Sequence, residues 1–192
     1  MAMASAQDIL DLKDKVIQTS LDMASDRRWC EIAFDEIVDQ SGYPIEDVSI
    51  LFSDKTDILS AYARRIDMRL KEIFDGEAGG ENSRDAIFDI IMERFDILNE
   101  NRDAVISILD SVTLNPQEAI GSLPFLCRSM STMMDLAKIN VSGWKKPALS
   151  IVLTGVYFKT LRCWINDDTV DMAATMASLD KGLNYFDKLE AI

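Results

Sequence analysis

The chain contains no histidine, and that absence removes Ser-His-Asp and Cys-His nucleophilic chemistry, with most zinc sites, in one step. Cysteine is nearly as scarce. Cys30, Cys127 and Cys163 are odd in number and far apart, so they suggest neither a disulfide framework nor a paired-cysteine metal knuckle, and a reducing compartment suits them. No apolar run approaches the roughly 20 residues that cross a bilayer. The longest, PALSIVLTGVYF at 147–158, lies between Lys146 and Lys159 and reads as a buried helix. The N-terminal MAMASAQDILDLKDK carries early acids and no apolar core of signal-peptide length. A cytoplasmic protein without stable membrane insertion is therefore expected. Positive charge is also short: 20 Lys and Arg against 33 Asp and Glu leave a net charge of −13, which opposes general binding to nucleic acid or an anionic membrane. A phosphate loop is missing too, since GEAGG at 76–80 has neither a preceding strand nor a following Lys-Ser or Lys-Thr pair. Glu93, Arg94 and Asp96 read as a solvated helix face rather than an acid–base site. No catalytic residue, metal ligand or cofactor is expected, and an enzyme is the weakest class.

What the chain has in abundance is helical periodicity. Apolar residues make up 48% of it, enough for a substantial core, and Val and Ile fall at helical spacing throughout, so the expected class is all-α. Ile9, Leu12, Val16, Ile17 and Leu21 form the stripe of a first helix from Gln7 to about Ser25. Trp29 follows as a lid on a small core. Ile32, Ile37 and Val38 then give a short helix that Gly42 stops, and Val48, Leu51 and Phe52 resume after Pro44. Gly42 can take the positive φ of a tight interhelical turn, and Pro44 suits the first turn of the next helix. Ser53 or Asp54 caps a long helix through Ile58, Tyr62, Ile66 and Leu70, which ends before GEAGG. That break divides a head, 1–75, from a body, 76–192.

Two helices meeting at a Gly and followed by a capped third make a helix-turn-helix. In Ile37, Val38, Ser41, Gly42, Phe52, Lys55, Ile58 and Leu59 the head resembles the DNA-binding module of the TetR family of regulators. The resemblance implies a TetR-like fold, and DNA contacts from Arg28, Tyr43, Ile45, Ser49, Lys55 and Thr56. The chain departs from the family at Ser49, where the family places a Tyr that contacts phosphate. It departs further in charge. Between residues 31 and 57 eight acids, Glu31, Asp35, Glu36, Asp39, Glu46, Asp47, Asp54 and Asp57, face Lys55 alone. Because cations that neutralise phosphate supply most DNA affinity, this head repels the polymer it would read. Arg27, Arg28, Arg64 and Arg65 are the only cations nearby.

In the body, Ser83 caps a helix through Ile87, Ile91, Phe95 and Leu98. A shorter one ends at Asn115 and Pro116, and after a loop near Gly121 another runs through Met130 to Leu136. From Trp144 to Trp164 apolar residues surround the helix, so it must be covered on several sides. Asp167 or Asp168 caps the last helix, whose seam runs from Val170 through Phe186. These two terminal helices are expected to form a homodimer through Val152, Val156, Leu161, Met172, Met176, Leu179, Leu183 and Phe186. A pocket for a small apolar effector is expected from Phe88, Met92, Phe95, Phe125 and Met130, together with Met133, Met134, Trp144 and Tyr157, because methionine adapts to irregular ligands. The Val-Tyr pair, Thr160, Leu161, Trp164, Asp167, Asp168, Thr175 and the Leu179-Asp180 pair also resemble the C-terminal end of the lipid-binding accessory proteins of ubiquinone biosynthesis, which share the fold and do not act on DNA. The expected function is a dimeric TetR-like transcriptional regulator with an acidic head; the alternative is a lipid- or quinone-binding accessory protein that leaves DNA alone.

Overall fold

The computed structural model describes residues 5–75, 83–114, 116–139, 141 and 143–190, with side chains for all of these except 112–125 and 187–190. Among the described residues there are nine α-helices and no strand. They are α1 (Ala6–Asp26), α2 (Phe34–Ser41), α3 (Ile45–Leu51), α4 (Lys55–Phe74), α5 (Ser83–Asn99), α6 (Arg102–Leu114), α7 (Pro116–Leu136), α8 (Lys145–Ile165) and α9 (Ala173–Glu190). A 3-10 turn, Trp29–Glu31, joins α1 to α2. The chain gathers into two compact units, one of Met1–Arg65 with Leu98–Ala119 and one of Ile66–Ile97 with Ile120–Ile192. The expected hinge at 76–80 lies outside the described residues.

The first unit is built on α1. Ser5 caps it with a reciprocal pair of bonds: the Asp8 amide donates to Ser5 Oγ (3.1 Å) and the Ser5 amide to Asp8 Oδ2 (2.8 Å), which satisfies two amides that a helix start leaves unpaired. The buried face of α1, Leu12, Val16, Ile17, Leu21 and Ala24, packs against α2, α3 and α6. Gly42 ends α2 at φ +79, a left-handed conformation that a side chain disfavours. Asp54 starts α4, accepting from the amides of Thr56 (2.7 Å) and Asp57 (3.1 Å). Helix α6 belongs to this unit through two serines. Ser107 Oγ accepts from the Trp29 amide (2.9 Å) and donates to the Arg27 carbonyl (3.2 Å), while Ser111 Oγ accepts from the Cys30 amide (3.1 Å). These bonds hold the 3-10 turn, with Trp29 buried beneath it.

In the second unit α8 and α9 make the most extensive contact. Leu153, Val156, Tyr157, Leu161 and Trp164 of α8 and Leu179, Leu183 and Phe186 of α9 are all buried. The helices approach closely at Gly182, where a Cβ would stand 2.5 Å from Val156 Cγ1. Helix α8 is long and apolar enough by composition to cross a membrane, yet nine of its residues are buried within the chain. Two details differ from the sequence reading. The loop expected near Gly121 is helical, α7 running unbroken from Pro116. Pro at a first helical position loses no bond, and an internal Gly costs a helix only about 1 kcal/mol. Val170, expected on the α9 seam, is fully exposed in the turn before the helix. Asp167 caps α9 from six residues upstream, accepting from the Thr175 amide (2.8 Å) and from the hydroxyls of Thr169 (2.6 Å) and Thr175 (2.8 Å).

Candidate functional site

The outer face of α3 is the first candidate. Val48 is buried beneath it, Glu46 and Ile50 lie on the opposite arc, and Ile45, Asp47 and Ser49 flank them, all exposed. Ile50 is 76% exposed. Tyr43, half-buried, sits in the turn just before. Thr56 is exposed at the start of α4, and Arg28 is exposed beside the 3-10 turn. The fold thus places Tyr43, Ile45 and Ser49 along one turn and helix.

Lys55 behaves differently from a surface cation. Its Nζ donates to the carbonyls of Trp29 (2.9 Å) and Ile32 (2.6 Å) and lies 4.8 Å from the centre of the Trp29 ring. Two main-chain acceptors and an aromatic face therefore hold the ammonium against the head's own backbone. Three arginines of the module are matched by acids. Arg27 pairs with Glu36, Arg28 with Glu31, and Arg65 stands 3.9 Å from Asp14. The Glu36 carboxyl is held below its ordinary pKa by the hydrogen bond from Arg27. Asp35, Asp39, Glu46 and Asp47 remain exposed on α2 and α3. The outer surface of α2 and α3 is therefore anionic, and the pairing of Arg27 and Arg28 with acids reduces the positive field further.

The second candidate lies in the second unit. Phe95, Met130, Met133, Met134 and Tyr157 of the expected pocket are buried, while Phe88 and Met92 are half-buried. Trp144 is 76% exposed, one residue before α8. The Phe125 side chain lies outside the described residues. Phe95 stacks on Tyr157 with ring centres 5.4 Å apart and sits 5.9 Å from Trp164. Two open clefts take no residue from this set. One, of about 330 Å³, lies between the end of α1 and α6; another, of about 650 Å³, is lined by Cys127, Arg128, Val141, Lys146 and Ile151, among others.

Arg94 belongs with the aromatic group, and this corrects the reading of it as solvated. It is 4% exposed. Its Nε donates to Tyr157 Oη (3.2 Å), and Nη1 donates to Asp67 Oδ1 (2.5 Å) and to Ser129 Oγ (3.1 Å). Ser129 Oγ in turn donates to Asp67 Oδ1 (2.6 Å). Burial opposes the guanidinium charge, but Tyr157 and Asp67 more than restore it, so the pKa stands above its ordinary value. The signal was present in the sequence, because Arg94 falls three residues after Ile91 and four before Leu98 on the buried stripe of α5. Glu93, half-buried, and Asp96, exposed, lie off that stripe.

The expected dimer residues are largely covered within the chain. Val156, Leu161, Met172, Leu179, Leu183 and Phe186 are buried, and Val152 and Met176 are half-buried. Exposed apolar surface on α8 instead comes from Ile151 and Phe158, with Gly155 between them.

No protein-family model and no curated protein sequence matches this chain. Solved structures do. A TetR transcriptional regulator from Nitrosomonas europaea superposes with a TM-score of 0.73 at 17% identity, covering 92% of this chain and 98% of its own. One from Rhodococcus sp. RHA1 gives 0.65 at 14% identity, over 91% and 97% of the two chains. A TetR-family regulator from Streptomyces coelicolor gives 0.59 at 15%, over 94% and 86%. The fold is therefore TetR-like and all-α across nearly the whole chain. These structures lend no support to the C-terminal likeness to ubiquinone-biosynthesis proteins.

Proposed function

Taking the TetR-like fold as premise, we propose that the chain is a dimeric, effector-responsive regulator that acts in the cytoplasm. The second unit receives a small apolar molecule, and the helix-turn-helix of the first delivers the response. The observation that carries this reading is the bare outer arc of α3, with Ile45, Ser49 and Ile50 exposed on a helix whose other side is fixed by Val48. A seven-residue helix anchored on one side and uncovered on the other suits a reading element. Operator contact by Arg28, Tyr43, Ile45, Ser49 and Thr56 belongs to the proposal; Lys55 supports the module from inside. Dimerisation is assigned to α8 and α9, with the outward Ile151, Gly155 and Phe158 face of α8 as its seam, because six of the eight seam residues expected from sequence are buried in the monomer.

A second reading, an apolar-ligand carrier of the same fold that does not read DNA, is favoured by one specific finding. The head's central cation is held by two of its own carbonyls, while acids occupy the outer surface of α2 and α3. One measurement separates the two. Band shift of duplex from the gene's own upstream region, titrated across ionic strength, gives a complex at low salt under the first reading, and Glu46→Gln with Asp47→Gln tightens it. No complex at the lowest salt with either protein rejects the regulator and leaves the carrier.

A further inference from the structure

The second unit keeps its open space apart from its buried aromatic core. A cleft of about 650 Å³ lies between the C-terminal half of α7 and the start of α8, a volume within the about 300–1,000 Å³ of ordinary small-molecule sites. Its lining is mixed. Val141, Pro147 and Ile151 supply aliphatic surface, Ser131 and Ser150 supply hydroxyls, and Arg128 and Lys146 supply two cations. Among the described residues no Asp or Glu lines it. In a chain with 33 acids against 20 bases, that exclusion of carboxylates sets the sign of the cleft.

Both cations can serve a ligand. Arg128 is exposed, and its side chain has no acceptor among the described residues. Lys146 donates to Asp135 at 2.6 Å, but that pair sits at the surface, its side chains 36% and 58% exposed, and such a pair holds a lysine weakly. Helix α8 adds to the same field. It starts at Lys145 with no side-chain cap and no acid in its first turn, so the positive end of its dipole is uncompensated beside Lys146. The cleft of the first unit is the opposite. Asp26, Asp103 and Asp110 line it, and its Arg27 and Arg28 are paired with Glu36 and Glu31. Each cleft also carries one cysteine, Cys127 in the second unit and Cys30 in the first.

We propose that the cleft between α7 and α8 is the effector site of the second unit and takes a small organic acid, its anionic head on Arg128 and Lys146 and its aliphatic body against Val141, Pro147 and Ile151. The inference rests on the reading that the second unit receives an apolar small molecule; it moves that molecule from the packed core to the open cleft and gives it a charge. Two cations with no carboxylate in the lining attract an anion and repel an amine. Arg128 can meet a carboxylate with two parallel N–H bonds, and Lys146 adds a point charge. Ile151 also belongs to the proposed seam, so the occupied cleft borders the dimer.

The test uses the full-length protein with decanoate below its micellar concentration, decanol and decyltrimethylammonium. Calorimetric titration is expected to show decanoate binding about tenfold more tightly than decanol, the low end of what hydrogen bonds to charged groups give. The advantage should shrink as salt rises, and the cation should not bind. Iodoacetamide alkylation read by peptide mass spectrometry places the site: saturating decanoate should slow the reaction of Cys127 and leave that of Cys30 unchanged. Arg128→Met combined with Lys146→Met, both at the surface, should erase the preference for acid over alcohol. If Cys127 resists alkylation in the free protein, this double variant decides. Equal binding of decanoate and decanol by the wild type overturns the inference and leaves the apolar-effector reading in place. The same holds for a cation that binds as well as the acid, for a double variant that keeps the preference, and for decanoate that binds while Cys127 reacts at its free rate. Failure of acid and alcohol alike to bind overturns both.

Discussion

Lys55→Met tests whether the head's central cation is structural. The native ammonium donates to the carbonyls of Trp29 at 2.9 Å and Ile32 at 2.6 Å, and covers the Trp29 ring at 4.8 Å. A hydrogen bond to a charged group contributes about 1.5–3 kcal/mol net, and a half-exposed site belongs at the low end. The ring contact adds about 0.5–1 kcal/mol. Methionine keeps the aliphatic stem packed, and water can reach part of what the ammonium leaves. The expected loss is about 2–3 kcal/mol. A lysine whose only task is to meet phosphate contributes less than about 0.5 kcal/mol to stability. Urea denaturation followed by tryptophan fluorescence separates the two, because Trp29 lies directly under the ammonium and reports its release. With a slope of about 1–3 kcal/mol per molar urea, the midpoint of the first unit should fall by about 0.7–3 M. Thr56→Ala, at an exposed neighbour that bonds through its amide rather than its side chain, should leave the midpoint in place. A Lys55→Met midpoint indistinguishable from wild type refutes the reasoning and returns Lys55 to the surface.

Two glycines on the terminal helices should respond in opposite directions. Gly182→Ala drives a methyl to within 2.5 Å of Val156 Cγ1, a short branched side chain that cannot swing aside, so overpacking of about 1–3 kcal/mol outweighs a helix-propensity gain of about 1 kcal/mol and thermal melting falls. Gly155→Ala meets nothing within 4 Å and should raise monomer stability by about 0.5–1 kcal/mol, while sedimentation shows a weakened dimer if that face is the seam. Asp167 supplies a pH test. Hydrogen bonds from Thr169 and then Thr175 hold its carboxyl well below the usual carboxylate range. Its contribution is therefore present above the unfolded pKa near 4 and is lost as pH falls from there through the lower folded value. Asp167→Asn should unfold at a lower temperature than wild type at pH 7, and the gap should narrow as pH drops below about 4; a gap that stays constant down to pH 2 refutes the assignment.

Much of the fold was legible because helices announce themselves locally. Val48 and Phe52 sit four apart, Ile87 and Ile91 likewise, and each pair lands on a buried face. Gly42 and Asp54 act where their backbone chemistry places them. The sites were less legible. The motif identified Lys55, but nothing near it in sequence told that its acceptors would be carbonyls 26 and 23 residues earlier. Trp144 looked like pocket lining by type and is among the most exposed apolar residues described. Arg94 looked solvated beside Glu93 and Asp96, although its place in the Ile87, Ile91, Leu98 register already put it inside.

The sequence alone determined an all-helical chain, the turn at Gly42, the cap at Asp54 and the acidity of the head, because spacing, backbone preference and charge are properties of neighbouring residues. Only the tertiary structure decided which charges meet. It turned Lys55 inward, buried Arg94 beside Asp67, Ser129 and Tyr157 at separations of 27, 35 and 63 residues, and covered most of the expected dimer seam with the chain itself. A charge's partner is set by where packed helices bring it, and the energy of burying it depends on that meeting rather than on the residue that carries it.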